Sequence, residues 1–290
     1  MGVRPMGDLP LFDPLSLMPP TDRPWGINFG GGANSTALVI SCFQLGHRPD
    51  WILFCDTGSE KPETYAAIDR LRAWVDERGF TPISITRWDR QEPLENGATF
   101  ESLEDYSLRT RYMPSKAYGL AGCSDKYKTQ PAERWRRERG FERTVYALGY
   151  DAGETRRVTR PKCARREGVY EEPWYPLFAW GITRKDCNAI IANAGLPPVP
   201  KSACFFCPNM KPHEWRALSV THPELFARAL EIERRALEAG NAKEYGLLRS
   251  AGWLKNLPLV VTHFPVPEQK QNDMFDCGCF ESTDDFEGAA

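Results

Sequence analysis

Between Gly30 and Thr36 the chain reads GGGANST, three glycines, an alanine and three short polar residues. Glycines let backbone N–H groups approach a phosphate closely, and Asn34, Ser35 and Thr36 are residue types that cap a helix start and can donate to phosphate oxygens. The second chemical group is sulfur. Cys204 and Cys207, in SACFFCP, are spaced to hold one metal ion or one edge of an iron–sulfur cluster. One such pair is half a site, and Cys123 (CSDKYK) and Cys187 (RKDC) are candidates for the other ligands. Zinc would accept the same four thiolates, and His213 could replace one of them. Cys42 and Cys55 read as core residues, and Cys163 has no assigned role. Near the end of the chain, FDCGCF carries Cys277 and Cys279 at a spacing strained for an internal disulfide.

These groups need elements to position them. WGINF reads as a buried strand leading into the glycines, and NSTALVISCFQLG as the helix that follows, ending at Gly46. WILFCD is a second buried strand that ends on Asp56, and KPETYAAIDRLRAWVDERG is a helix with Pro62 in its first turn. TPISITRW and RTVYALGY complete the strand pattern. Strands apolar on both faces, alternating with helices, predict a parallel sheet covered on both sides, where ligands bind at the carboxyl ends of the strands. Beyond Tyr150 the chain turns rich in proline, arginine and cysteine, with helices expected over TRKDCNAIIANAG and HPELFARALEIERRALEAG.

Composition sets the class. The chain has 290 residues, 41% of them hydrophobic and 26% charged, as in an ordinary globular protein. No apolar run approaches the roughly 18 residues of a membrane helix, and the proline-rich start does not read as a secretory signal. A cytoplasmic location is expected, where nine cysteines point to metal or redox chemistry more than to disulfides. Charge is unevenly spread. From Ser107 to Tyr170, 16 Lys and Arg stand against 7 Asp and Glu, whereas Phe264 to Ala290 holds 1 basic and 7 acidic residues. The basic stretch 107–170 could face a phosphate-rich partner such as DNA or tRNA.

The glycine loop lacks the Gly-Lys pair of a Walker A sequence. A dinucleotide fingerprint fits Gly30 and Gly32 but puts Ser35 at its third glycine. The loop resembles the PP-loop, S-G-G-x-D-S-[TA], of the adenine nucleotide alpha-hydrolase superfamily, with Gly30 for the serine, Ala33 where lysine is frequent and Asn34 for the aspartate. CDTGSEKPETY resembles the D-T-G-x-x-x-P-E-T segment of the phosphoadenylylsulfate (PAPS) reductase branch. CSDKYKTQP is similar to that branch's Cys-x-x-x-Lys-x-x-Pro segment, and LGYDAGETRR to its Gly-x-x-x-x-Glu-[ST]-x-Arg segment. The four stand in the family's order across residues 25–160, with weaker similarity through YPLFAWGITRKDC and KSACFFCP.

This resemblance implies an α/β fold with a doubly wound, mostly parallel five-stranded sheet and a cysteine-rich C-terminal lobe. An extended segment would occupy 1–20, a nucleotide-binding domain 21–160, and the cysteine-bearing lobe with its helices and tail 161–290. It further implies that Gly30, Gly31, Gly32, Asn34, Ser35 and Thr36 hold the phosphates of ATP or PAPS, and that Asp56, Thr57 and Gly58 lie near the ribose or base. Gly149, Arg156 and Arg157 would complete the nucleotide site, with Lys126 and Lys128 neutralising charge as it develops. A 4Fe-4S cluster would sit on Cys123, Cys187, Cys204 and Cys207, as thiolates whose pKa a basic surrounding lowers. Cys277 aligns with the family's tail nucleophile, although the histidine that follows it there is absent. Reduction of an activated sulfate, or sulfur insertion into nucleic acid as in DNA phosphorothioation and tRNA thiolation relatives, are the reactions implied. A non-catalytic nucleic-acid-binding protein with a structural zinc site is the alternative.

Overall fold

A computed structural model describes residues 12–90, 92–93, 97–114, 122–141, 143–159, 170–240 and 247. Five strands form one sheet in the order β3-β2-β1-β4-β5: β1 (Trp25–Phe29), β2 (Trp51–Asp56), β3 (Ile83–Arg87), β4 (Arg143–Ala147) and β5 (Tyr170–Trp174). Every pairing is parallel. The fold is therefore doubly wound α/β, as expected, and fully parallel. The chain runs outward from β1 through β2 to β3, then returns to lay β4 on the other side of β1. That reversal puts the switch point between β1 and β4, where the loops leaving both strands diverge and open a crevice.

Helix α1 (Ala33–Gln44) follows β1, and α2 (Pro62–Glu77) follows β2 with proline at its start, where a missing N–H costs nothing. Helix α3 (Leu103–Thr110) is capped by Ser102, whose hydroxyl accepts from the Asp105 N–H at 3.0 Å. Short α4 (Gly122–Ser124) runs through a π-helical turn, Asp125–Thr129, into α5 (Gln130–Arg137). After β4 come α6 (Thr155–Thr159), α7 (Pro176–Ala179), α8 (Arg184–Asn193), α9 (Pro212–Thr221) and α10 (Pro223–Glu238).

Three apolar clusters follow from this order. The first joins α1, α2 and α8 to one face of the sheet through Ile27, Leu38, Ile52, Leu71 and Ile191. On the opposite face Trp51 and Leu53 pack against Ala132 and Trp135 of α5. The third belongs to the C-terminal lobe, where Phe205, Phe206, Trp215 and Ile232 gather with Leu103 and Tyr127, and Cys123, Cys204 and Cys207 lie against it. Residues 12–23 strap the edge of the sheet. The indoles of Trp174 and Trp180 donate to the carbonyls of Ser16 and Leu17 at 2.7 and 2.9 Å, and Arg23 pairs with Glu172 at 2.9 Å. Among the described residues no helix is long and apolar enough to cross a membrane.

Candidate nucleotide and thiol site

The glycine loop lies in the crevice. Gly31 has φ of +75°, a left-handed conformation that glycine adopts freely, and a Cβ there would press on Thr64 and Ile68 of α2 at 3.3 Å. Gly32 is the N-cap of α1, and no side chain caps the helix start. The first-turn N–H groups therefore form the kind of anion-binding end that a phosphate occupies. Asn34, Ser35 and Thr36 sit inside the helix instead of capping it. The Ser35 hydroxyl donates to the Gly32 carbonyl at 3.0 Å, and so does the Thr36 N–H at 2.9 Å. From across the switch point, Gly149 closes on this turn. A Cβ at Gly149 would lie 2.8 Å from the Ser35 nitrogen, so only glycine lets the two loops touch.

Asn34 ties together three segments. Its amide nitrogen donates to Asp151 at 2.8 Å and Glu154 at 3.2 Å, and its carbonyl oxygen accepts from Arg184 at 2.6 Å. A carboxylate at this position would face two others, which accounts physically for the neutral residue. Burial pushes the Glu154 carboxyl up, against the pull of neighbouring Arg157. Arg184, at the first position of α8, keeps its Nε and a second nitrogen buried with no partner among the described residues. It was not among the residues expected at the site. One signal was legible: a positive charge in the first turn of a helix opposes the helix dipole.

Asp56 is wholly engaged in bracing its loop. It accepts from Tyr65 at 2.7 Å, from the Gly58 N–H at 2.8 Å and from two nitrogens of Arg87 at 2.9 and 2.7 Å. Gly58 has φ of +68°, and a Cβ there would meet Phe100 and Ser102 at 2.7 and 2.8 Å. The braced loop is an anchor for other segments. The Thr57 carbonyl accepts from Leu103 N–H at 2.9 Å, the Ser59 hydroxyl from Glu104 N–H at 3.0 Å, and the Ser59 carbonyl from Phe205 N–H at 3.0 Å. Glu60 pairs with Cys204 as an antiparallel bridge. The segment bearing the thiols is thus laid onto the loop that leaves β2, and Ser202 reaches within 3.0 Å of where a Cβ on Gly32 would be.

Cys204 and Cys207 form a turn, the Cys207 N–H donating to the Cys204 carbonyl at 3.0 Å. The Cys204 sulfur lies 3.3 Å from the Thr57 hydroxyl and 3.8 Å from Glu60 Oε1. Glu60 is buried, Lys128 Nζ is 3.4 Å from its Oε1, and its Oε2 has no partner among the described residues. Cys123 joins this group, but Cys187 does not: it is fully buried in the sheet cluster against α1. The expected lowering of the thiol pKa values is also corrected. Burial raises Cys204 well above the ordinary thiol range, Cys207 to about 11 and Cys187 to about 12. Cationic Lys128 and Lys201 oppose this at Cys207 without reversing it. Among the described residues no three His, Cys, Asp or Glu side chains converge tightly enough for a metal ion. Cys123, Cys204 and Cys207 share one apolar cluster, whereas Cys187 belongs to another. Cys163, Cys277 and Cys279 lie outside the described residues.

The basic residues are largely committed. Lys126 does not reach the glycine loop. Its ammonium lies 3.4 Å from the ring centre of Tyr106 and 4.1 Å from that of Trp88, and burial lowers its pKa. Within 107–170, Arg109 pairs with Glu101, Lys128 with Glu60, Arg134 with Asp89, Arg136 with Glu171, Arg139 with Glu138 and Arg157 with Glu154. Arg157 also stacks over Tyr150 at 3.9 Å, while Arg156 is exposed on α6. A groove of about 1010 Å³ is lined by Trp88, Arg90, Lys126, Arg134 and Arg137, but also by Asp89, Glu92, Asp125 and Glu133. Four of the carboxylate partners, Glu60, Asp89, Glu101 and Glu171, lie outside 107–170 and offset part of the linear excess of positive charge.

No family model matches the chain, and no curated protein does. The solved structures similar to it in fold include the following two. A phosphoadenylyl-sulfate (PAPS) reductase from Candida auris, in complex with phosphate, is 18% identical with a TM-score of 0.38, over 62% of this chain and 76% of that one. The U34-tRNA thiolase NcsA from Methanococcus maripaludis, with its 4Fe-4S cluster, is 13% identical with a TM-score of 0.40, over 85% of this chain and 83% of that one.

Proposed function

We propose that the protein is a PP-loop-type enzyme that binds an adenine nucleotide, ATP or PAPS, at Gly30–Gly32 and performs sulfur chemistry beside the thiols of Cys204 and Cys207. One observation carries this reading. The loop from Asp56 to Glu60 runs into helix α2, against whose Thr64 and Ile68 Gly31 of the glycine loop lies, and it is bridged to Cys204. Nucleotide phosphate and thiol sulfur would therefore work within one braced frame.

In this reading the backbone N–H groups of the glycine turn and the start of α1 hold phosphate oxygens. Asp56 keeps the adjoining loop rigid, and Thr57 orients the Cys204 sulfur by its 3.3 Å contact. Cys123, Cys204 and Cys207 would hold a 4Fe-4S cluster, which when bound supplies iron for electron transfer or for binding a sulfur atom. Sulfonucleotide reduction is favoured over sulfur transfer to DNA or tRNA, because six cations of the basic stretch already face carboxylates. The same pairing weighs against a nucleic-acid-binding protein with a zinc lobe. The test is anaerobic purification followed by iron and acid-labile sulfide analysis, with melting curves in ATP and PAPS. A brown protein stabilised by one of these nucleotides is expected. A colourless protein with stoichiometric zinc, or one that neither nucleotide stabilises, would overturn the proposal.

A further inference from the structure

Among the described residues Arg184 forms no ion pair, unlike Arg157, which pairs with Glu154. The one hydrogen bond of Arg184 among the described residues runs to Asn34 in the first turn of α1, at 2.6 Å. Its other two nitrogens are buried and, among these residues, unpaired. Leaving a charged donor buried and unanswered is costly, so such a group in a folded protein points to a missing acceptor. The guanidinium is a planar fork suited to two oxygens of a tetrahedral oxyanion. Its placement is built in: Thr183 and Asp186 form a reciprocal cap that fixes the start of α8, and α8 packs on α1.

The loop itself explains the need. Ala33 leaves it without a cation of its own. Asn34 is bonded so that Asp151 and Glu154 take its amide nitrogen, which turns its oxygen toward Arg184. The oxygen steers the guanidinium without neutralising it, whereas an aspartate there would form an ion pair and consume the charge. We infer that Arg184 is the oxyanion-binding arm of this crevice, taking a phosphate or sulfate group of the nucleotide in place of a lysine within the loop. The inference rests on the glycine loop being the nucleotide site.

Isothermal titration calorimetry on the full chain tests it, with ATP, PAPS, adenosine, pyrophosphate and sulfate as probes. Wild type against R184Q should show ATP or PAPS bound roughly ten- to a hundredfold more weakly, the range of one or two charge-assisted hydrogen bonds. Adenosine binding should not change. R184K, which keeps the charge and loses the fork, should fall between the two, and N34D should resemble R184Q. Equal nucleotide affinity in wild type and R184Q would refute the arm while leaving the nucleotide site intact. If wild type binds no nucleotide, the reading of the glycine loop fails. Pyrophosphate or sulfate binding that R184Q abolishes would then retain the arm, and binding that it leaves unchanged would refute it. Should R184Q not fold, as judged by circular dichroism, R184K and N34D decide: both binding like wild type is the refuting result.

Discussion

Replacing Gly149 with alanine probes the crevice at its narrowest point. The new methyl would stand 2.8 Å from the Ser35 nitrogen, 2.9 Å from the Ser35 Cα and 3.0 Å from the Asn34 carbonyl carbon. All three are backbone atoms of α1, so no rotamer change can relieve the contact, and one of the two loops must move. Overpacking of this kind costs about 1–3 kcal/mol, and the rigid neighbours place it in the upper half of that range. For a chain of this size about 1 kcal/mol lowers the melting temperature by roughly 2–4 °C, which predicts a loss of roughly 4–12 °C. Because the displaced turn supplies the N–H groups facing the crevice, ATP or PAPS should also bind more weakly. Thermal melts with and without nucleotide measure both effects. G122A is the control, since among the described residues its methyl would meet nothing nearer than Tyr112 at 3.7 Å, and a change within about 0.5 kcal/mol is expected. If G149A melts with wild type and binds nucleotide equally, the two loops do not touch as described.

Three other outcomes follow from the packing and the charges. G26A places a methyl 2.1–2.4 Å from three atoms of the buried Trp51 indole on the neighbouring strand; it should cost about 3 kcal/mol or more and alter the near-ultraviolet circular dichroism. Burial alone would raise the Glu101 carboxyl, but Arg109 and Arg90 hold it below its ordinary value. Its stabilisation is therefore present above the usual carboxylate range and lost as pH falls through the lower folded pKa. E101Q should melt well below wild type near neutrality and converge with it in acid, and a gap independent of pH would refute the pairing. C187A should retain the iron and sulfide content of wild type while C123A, C204A and C207A each lose it, a pattern read by metal analysis; loss in C187A would return that residue to the ligand set.

The chain announces its central strands because β1 and β2 are buried on both faces, which leaves uninterrupted apolar runs. β5 is silent for a physical reason. Its sequence YEEPW shows two acids and a proline, yet Glu171 is neutralised by Arg136, Glu172 by Arg23, and Pro173 is tolerated because β5 is an edge strand paired only to β4. The glycine loop is legible for its spacing, and Gly149 for its place in a motif. The partner of Arg184 is not, because that residue meets Asn34 across 150 positions of sequence. Cys187 misleads in the same way: its side chain follows the apolar face of α8 into the sheet cluster, a choice that only helix packing makes. The positive stretch is visible as a count, but its carboxylate partners Asp89, Glu101 and Glu171 lie outside residues 107–170.

The loop from Thr57 to Glu60 carries hydrogen bonds to two remote stretches of chain, Leu103–Glu104 and Cys204–Phe205. Such a loop cannot open by itself. Any fluctuation that frees it must break both attachments together, so the amides of Leu103, Glu104 and Phe205 should exchange with solvent as one cooperative unit and not as two loops with separate rates. The C-terminal lobe is then not an appendage hinged to the sheet. Its thiols share the breathing motions of the loop that leaves β2, and whatever quiets that loop quiets them.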